Sequence, residues 1–108
     1  MVEMTFNKLD KIKDEKFKNI LIQYKETQSH LLLLLLLREK NIIINTEKIG
    51  GIIVEWKEDE NDIWLGGVII DGELYKALLH IYDDGEVVLD FFHDYNIAIK
   101  VNGDQDGN

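Results

Sequence analysis

Cysteine and proline are both absent from this sequence of 108 residues. Without cysteine there is no disulfide framework, no thiolate zinc or iron–sulfur site and no cysteine nucleophile. Small secreted domains often use disulfides to supplement a small core, so their absence points to a reducing, cytoplasmic compartment. Met1-Val2-Glu3-Met4 runs into mixed charge rather than an apolar stretch, and is not expected to be a signal peptide. Without proline or an internal repeat, no linker is marked. Residues 1–101 are expected to form a single domain, and residues 102–108 a flexible acidic tail.

Long apolar runs are scarce. Leu31 to Leu37 is the longest conspicuous one, bounded by His30 and Arg38. A membrane span needs ~20 apolar residues, so this run reads as a buried helix and no membrane partner is expected. Because it is apolar on every side, it predicts a central helix surrounded by the rest of the fold.

Basic charge is scarce and unevenly placed. The formal net charge is −9. Residues 1–41 hold eight bases and six acids, +2, whereas residues 42–108 hold four bases and fifteen acids, −11. A nucleic-acid binder is expected to show a basic face, so no nucleic-acid partner is expected. The acidic half either keeps a small protein soluble or faces a basic partner.

What is present suits a globular fold: 45% hydrophobic and 31% charged residues. Phe6, Leu9, Ile12, Phe17, Ile20, Leu21 and Tyr24 recur every three or four residues, an amphipathic helix with Thr5 as a possible N-cap. Thr27-Gln28-Ser29 weakens the pattern, and a second helix is expected from Ser29 to Lys40, stopped at Asn41; one long bent helix is the alternative. After Asn41 the period becomes that of strands. Ile42 to Ile44, Ile52 to Trp56, Ile63 to Ile70, Leu74 to Tyr82, Glu86 to Phe92 and Ile97 to Val101 are strand-like, and Asp71-Gly72 is a two-residue hairpin turn. The fold class expected is therefore α+β, with two N-terminal helices (or one long bent helix) on one face of a four- to five-stranded antiparallel meander.

The turns suggest a register. A two-residue Asp71-Gly72 loop pairs Ile70 with Glu73, Val68 with Tyr75, Gly66 with Ala77 and Trp64 with Leu79. A three-residue Asp83-Asp84-Gly85 loop pairs Tyr82 with Glu86, Leu79 with Leu89 and Ala77 with Phe91. Trp64, Val68, Tyr75, Ala77, Leu79, Ile81, Val87, Leu89 and Phe91 then form the helix-covered face. Ile63, Leu65, Ile69, Leu74, Leu78, Tyr82, Val88 and Phe92 form the other, which is too apolar to be left bare and is expected to be covered by the same chain, a homodimer mate or a foreign partner. Gly66-Gly67 is expected to mark a bulge or a bend.

No catalytic or cofactor signature emerges. His80 and Asp90 share a face, but no serine or threonine follows Thr46 to act as nucleophile. His93-Asp94 with His80 and Asp90 matches no tetrahedral metal spacing. Asn102 to Gly107 opens like a calcium loop, but its closing bidentate acid is missing. The expectation is a non-catalytic binding protein without cofactor, catalytic residue or metal ligand. It is expected to be a small acidic inhibitor, of the immunity-protein or phage counter-defence type, that neutralises a basic toxin, nuclease or defence protein. Its expected contacts are Glu58, Asp59, Glu60 and Asp62 at one turn and Asp83, Asp84 and Glu86 at another, backed by Trp56, Tyr82 and Tyr95. A small-molecule-binding or hydrolytic domain, with its pocket between helices and sheet, and a structural homo-oligomer subunit are the alternatives.

Overall fold

The apolar stripe that starts near Leu9 does not continue as one helix. The computed structural model, which describes residues 7–42 and 45–94, shows α1 (Asn7–Asp10) separated from α2 (Glu15–Thr27) by a short irregular segment. Within it, the Lys13 amide donates to the Gly85 carbonyl at 3.1 Å, which draws the backbone out of the helix. Gly85 has φ +92°, and a Cβ there would lie 2.6 Å from the Lys11 carbonyl oxygen, so a glycine is what lets this segment approach. The helix restarts where Asp14 caps it, its side chain accepting from the Phe17 amide at 3.1 Å. Thr5 lies outside the described residues.

The second break falls where the polar triplet predicts. Gln28 is left-handed (φ 47°), Ser29 caps α3 (His30–Glu39), and Asn41 (φ 64°) follows its end. The two longer helices, α2 and α3, are therefore separate rather than one long bend, and they lie antiparallel, with Lys16 near α2's start 3.1 Å from Glu39 near α3's end. A 3₁₀ turn at Thr46–Lys48 leads into the sheet. The strands are β1 (Ile49–Glu58), β2 (Asp62–Ile70), β3 (Glu73–Ile81) and β4 (Val87–His93), antiparallel in the order β1-β2-β3-β4. The chain is thus α+β, with N-terminal helices packed on an open four-stranded meander. Ile43-Ile44, the expected strand Ile97 to Val101 and the acidic tail lie outside the described residues.

Asp71 and Gly72 both have positive φ, as the tight two-residue hairpin requires. From there Ile70 pairs with Glu73, Val68 with Tyr75 and Gly66 with Ala77, as the turn chemistry predicts. Then the register shifts. Leu65 is the extra residue of a bulge, so Trp64 pairs with Leu78, Ile63 with Leu79 and Asp62 with His80. The expected pairing of Trp64 with Leu79 is corrected, and Trp64 exchanges faces with Ile63. Gly66 is the reason the chain can do this: its φ is +130°, and a Cβ there would overlap the Ile53 carbonyl of β1. β3 and β4 keep the expected register, with Ile81 opposite Val87 and Leu79 opposite Leu89.

The bulge decides what is inside. Ile63, Leu65, Val68, Ala77, Leu79, Ile81, Val87 and Leu89 are buried in one cluster with Phe17, Leu21 and Tyr24 of α2 and Leu33, Leu36 and Leu37 of α3. Ile63 and Leu65, expected on the second face, belong here. Tyr24 ties α2 to the bulge, its hydroxyl donating to the Leu65 carbonyl. Burial raises the Tyr24 pKa above its ordinary value, as does the Glu55 charge, while a backbone hydrogen bond from Glu55 opposes the shift.

The other face stays largely open among the described residues, although Leu74 is buried. Ile53, Val88 and Phe92 are 41%, 40% and 41% exposed, and Trp64 and Leu78 are half-buried. α3 also departs from expectation. It is not surrounded: Leu33, Leu36 and Leu37 are buried, but Leu31 is 66% exposed. A helix laid flat on a sheet needs one apolar stripe, and the seven-leucine run supplies more than one.

Candidate functional site

A meander places alternate turns at the same end of its sheet. The β1–β2 turn at residues 59–61 and the β3–β4 turn at residues 82–86 are therefore neighbours, which brings together most of the acids the sequence singles out. A cleft between them is lined by Lys8, Glu60, Asn61, His80, Ile81, Tyr82 and Asp83. Tyr82 is 47% exposed at its rim and meets the His80 ring edge-on, with centroids 4.4 Å apart.

Many of these acids already face this chain's own lysines. Lys8 Nζ donates to the Glu60 carbonyl at 2.6 Å and the Asp59 carbonyl at 3.4 Å. Lys11 approaches Asp83 at 3.6 Å, Lys13 approaches Glu86 at 3.8 Å, and Lys25 meets Glu58 at 3.1 Å. The division of charge along the sequence is thus partly an internal complementarity: the basic helical half lies against the acidic turns. Exposed pairs of this kind contribute little each, ~0–1 kcal/mol.

Glu58 and Trp56 are the most engaged. Trp56 Nε1 donates to Glu58 Oε2 at 2.8 Å, the Lys25 ammonium lies 5.3 Å from the Trp56 ring centre, and Trp56 packs against Tyr24 with centroids 6.4 Å apart. Partial burial would raise the Glu58 pKa, but the hydrogen bonds from Trp56 and Lys25 and the charges of Lys25 and Lys8 outweigh it and hold the carboxyl below its ordinary value. Trp56 therefore sits half-buried against Tyr24 of α2.

Asp59 and Asp84 shape the turns, accepting from the amides of Glu60 and Glu86, each at 3.0 Å. Asp62 pairs with His80, Oδ1 to Nδ1 at 3.0 Å. That makes Asp62, and not Asp90, the carboxylate beside His80. Asp90 lies opposite Leu78 on the edge strand, and the Leu65 bulge is what carries Asp62 opposite His80. Tyr95 lies outside the described residues.

Sequence reasoning did not single out Ile53 and Trp64 on the open face, nor the lysines that clamp the acidic turns. The signal for the lysines was the +2 of the first 41 residues beside the −11 of the rest. Among the described residues no group of three or more His, Asp or Glu is placed to hold a metal ion. Also among them, no helix is long and apolar enough to cross a membrane. Compared with known proteins, the chain matches no family model, no curated protein and no solved structure.

Proposed function

We propose that this domain is a non-catalytic, acidic protein-binding module: a small inhibitor of the immunity-protein or phage counter-defence kind, docking on a basic toxin, nuclease or defence protein. One observation carries this reading. The two acidic turns converge beside exposed Tyr82, next to a sheet face that presents Ile53, Leu78, Val88 and Phe92. An exposed apolar patch beside a cluster of acids has the makings of a docking surface, although Lys8 and Lys11 already engage part of that cluster. Asp59, Glu60, Asp83 and Asp84 form the acidic rim, and Tyr82 is its aromatic anchor. Rim charges set the rate of encounter and the apolar centre sets the lifetime of the complex. The alternative, a hydrolytic or small-molecule site, draws on the His80–Asp62 pair in the same cleft.

The test is kinetic. A basic partner recovered by pull-down should associate more slowly as salt rises, and the triple variant Asp59→Ser, Glu60→Ser, Asp83→Ser should lower its on-rate about tenfold or more at low salt. Phe92→Ser should raise the off-rate instead. An on-rate indifferent to both salt and the triple variant would remove the electrostatic reading. Turnover of a small substrate that disappears with His80→Ala would replace the binding module by an enzyme.

A further inference from the structure

The segment before α2 is anchored by Leu9 and Ile12, which are 8% and 2% exposed and join the core. Lys8 and Lys11, each one residue before an anchor, reach the acidic turns instead. Lys8 Nζ donates to the Glu60 carbonyl at 2.6 Å, in the cleft of about 270 Å³ whose lining includes Tyr82 and Asp83. Lys11 Nζ lies 3.6 Å from Asp83 Oδ1. The cleft between the two turns is thus lined by acceptors and already holds an ammonium of this same chain. Folding depends little on that ammonium. A carbonyl on an exposed turn finds water in its place, and exposed ion pairs contribute little. Because Leu9 and Ile12 hold the backbone, the two long lysine side chains can swing into solvent without the segment leaving the core.

We infer that Lys8 and Lys11 mask the docking cleft of the unbound protein, holding the places that an ammonium or guanidinium of the basic partner takes on binding. This rests on the docking function proposed above. Carbonyl oxygens and carboxylates only accept, so whatever replaces Lys8 must donate, and the acids around it favour a cation. A lysine or arginine side chain meets both conditions. Tyr82, 47% exposed at the rim, offers an aromatic surface to its stem or its guanidinium. Exchanging one cation for another is nearly even electrostatically, so a lone cation gains little over Lys8. A partner that also covers Tyr82 and the apolar face makes contacts that the two lysines do not, and displaces them. The mask thereby favours a basic protein surface over scattered cations.

The experiment measures binding of a dye-labelled hexalysine peptide to the full chain by fluorescence anisotropy at low salt. Two double variants remove the same two positive charges from different places. Lys8→Gln with Lys11→Gln opens the cleft, whereas Lys16→Gln with Lys48→Gln frees Glu39 and Asp71, which lie away from the acidic turns. The cleft variant should bind the peptide at least about fivefold tighter than the charge-matched one. Lys8→Arg with Lys11→Arg keeps both cations and should bind like wild type. Equal affinity in the two glutamine variants would reduce the effect to net charge and overturn the mask. If Asp59→Ser, Glu60→Ser, Asp83→Ser still weakens the peptide in that case, the docking reading survives without it. A peptide that binds wild type no better than this triple variant, or does not bind at all, removes the docking reading and the mask together.

Discussion

The two faces of the sheet are built from the same strands and from almost equally apolar residues, yet only one of them makes a core. On the covered face Ile63, Leu65, Ala77, Leu79 and Leu89 meet Phe17, Leu21 and Tyr24 and lose their water. On the open face Ile53, Leu78, Val88 and Phe92 keep a good part of theirs. Apolar composition alone therefore does not place a strand residue. Parity does, and parity is reset by one residue at Leu65. The covered face makes the core, while the open one buries less and is the face we propose for docking.

The comparison breaks most completely at the bulge. Gly66→Ala should be the most damaging single change in the sheet. It puts a methyl group onto the Ile53 carbonyl and asks a non-glycine residue to hold φ +130°. Strain and overlap together should cost ~3 kcal/mol or more, a large share of the stability of a small domain. Loss of the cooperative unfolding transition, or a midpoint far below wild type in urea, is the expected result. A variant as stable as wild type would show that β1 and β2 do not approach this closely.

A paired measurement sharpens the contrast within one strand. Leu79 and Leu78 are adjacent in β3 and differ in the face they occupy. Leu79→Ala should cost ~2–5 kcal/mol by opening a cavity under the helices. On the open face, Leu78→Ala should cost no more than ~1 kcal/mol. Chemical denaturation of the two variants, read as midpoints at unchanged slope, checks the ranking. Similar losses would mean that the open face is packed as tightly as the covered one.

Most of the fold was legible because its signals are local. The switch from a 3.6-residue to a 2-residue period, Ser29 as a cap, Asn41 as a stop and Asp71-Gly72 as a turn each act within a few residues. The misplacements arose where a distant partner decides. Nothing local stops the first helix at Asp10; the Gly85 carbonyl does, some seventy residues on. Gly66-Gly67 announced an irregularity but not which residue would be extra, so Ile63, Trp64 and Leu65 were assigned to the wrong faces. The same one-residue shift hid the Asp62–His80 pair, whereas Asp90 drew attention only by sharing a face with His80 and lies opposite Leu78. The candidate site was legible as charge, because both acidic turns stand out in the sequence. Its internal lysine partners were not, because they become neighbours only once the helices fold back over that end of the sheet.

The smallest expected effect lies where the two faces meet the acidic end, at Glu58. This carboxyl is held below its ordinary value of 4.5 in the folded protein: partial burial opposes the shift, but Trp56 Nε1 and Lys25 prevail. A carboxyl whose folded pKa is depressed binds its proton more readily in the unfolded chain. Its contribution to stability is therefore fully present above the unfolded pKa and is lost as pH falls through the folded one. Glu58→Gln removes that proton linkage while keeping the shape and one acceptor for Trp56. The stability gap between wild type and Glu58→Gln should thus be open at about pH 6 and close on acidification toward about pH 3. Because the Glu58 side chain is 35% exposed, solvent screens the pair and the gap should stay below ~1 kcal/mol. Asp83→Asn, at a fully exposed side chain 3.6 Å from Lys11, serves as the control and should change stability near pH 7 very little. Urea unfolding of the three proteins across this range decides it. A gap that is constant with pH, or that widens as acid is added, would mean that the Trp56–Glu58–Lys25 clamp does not hold the carboxylate in solution.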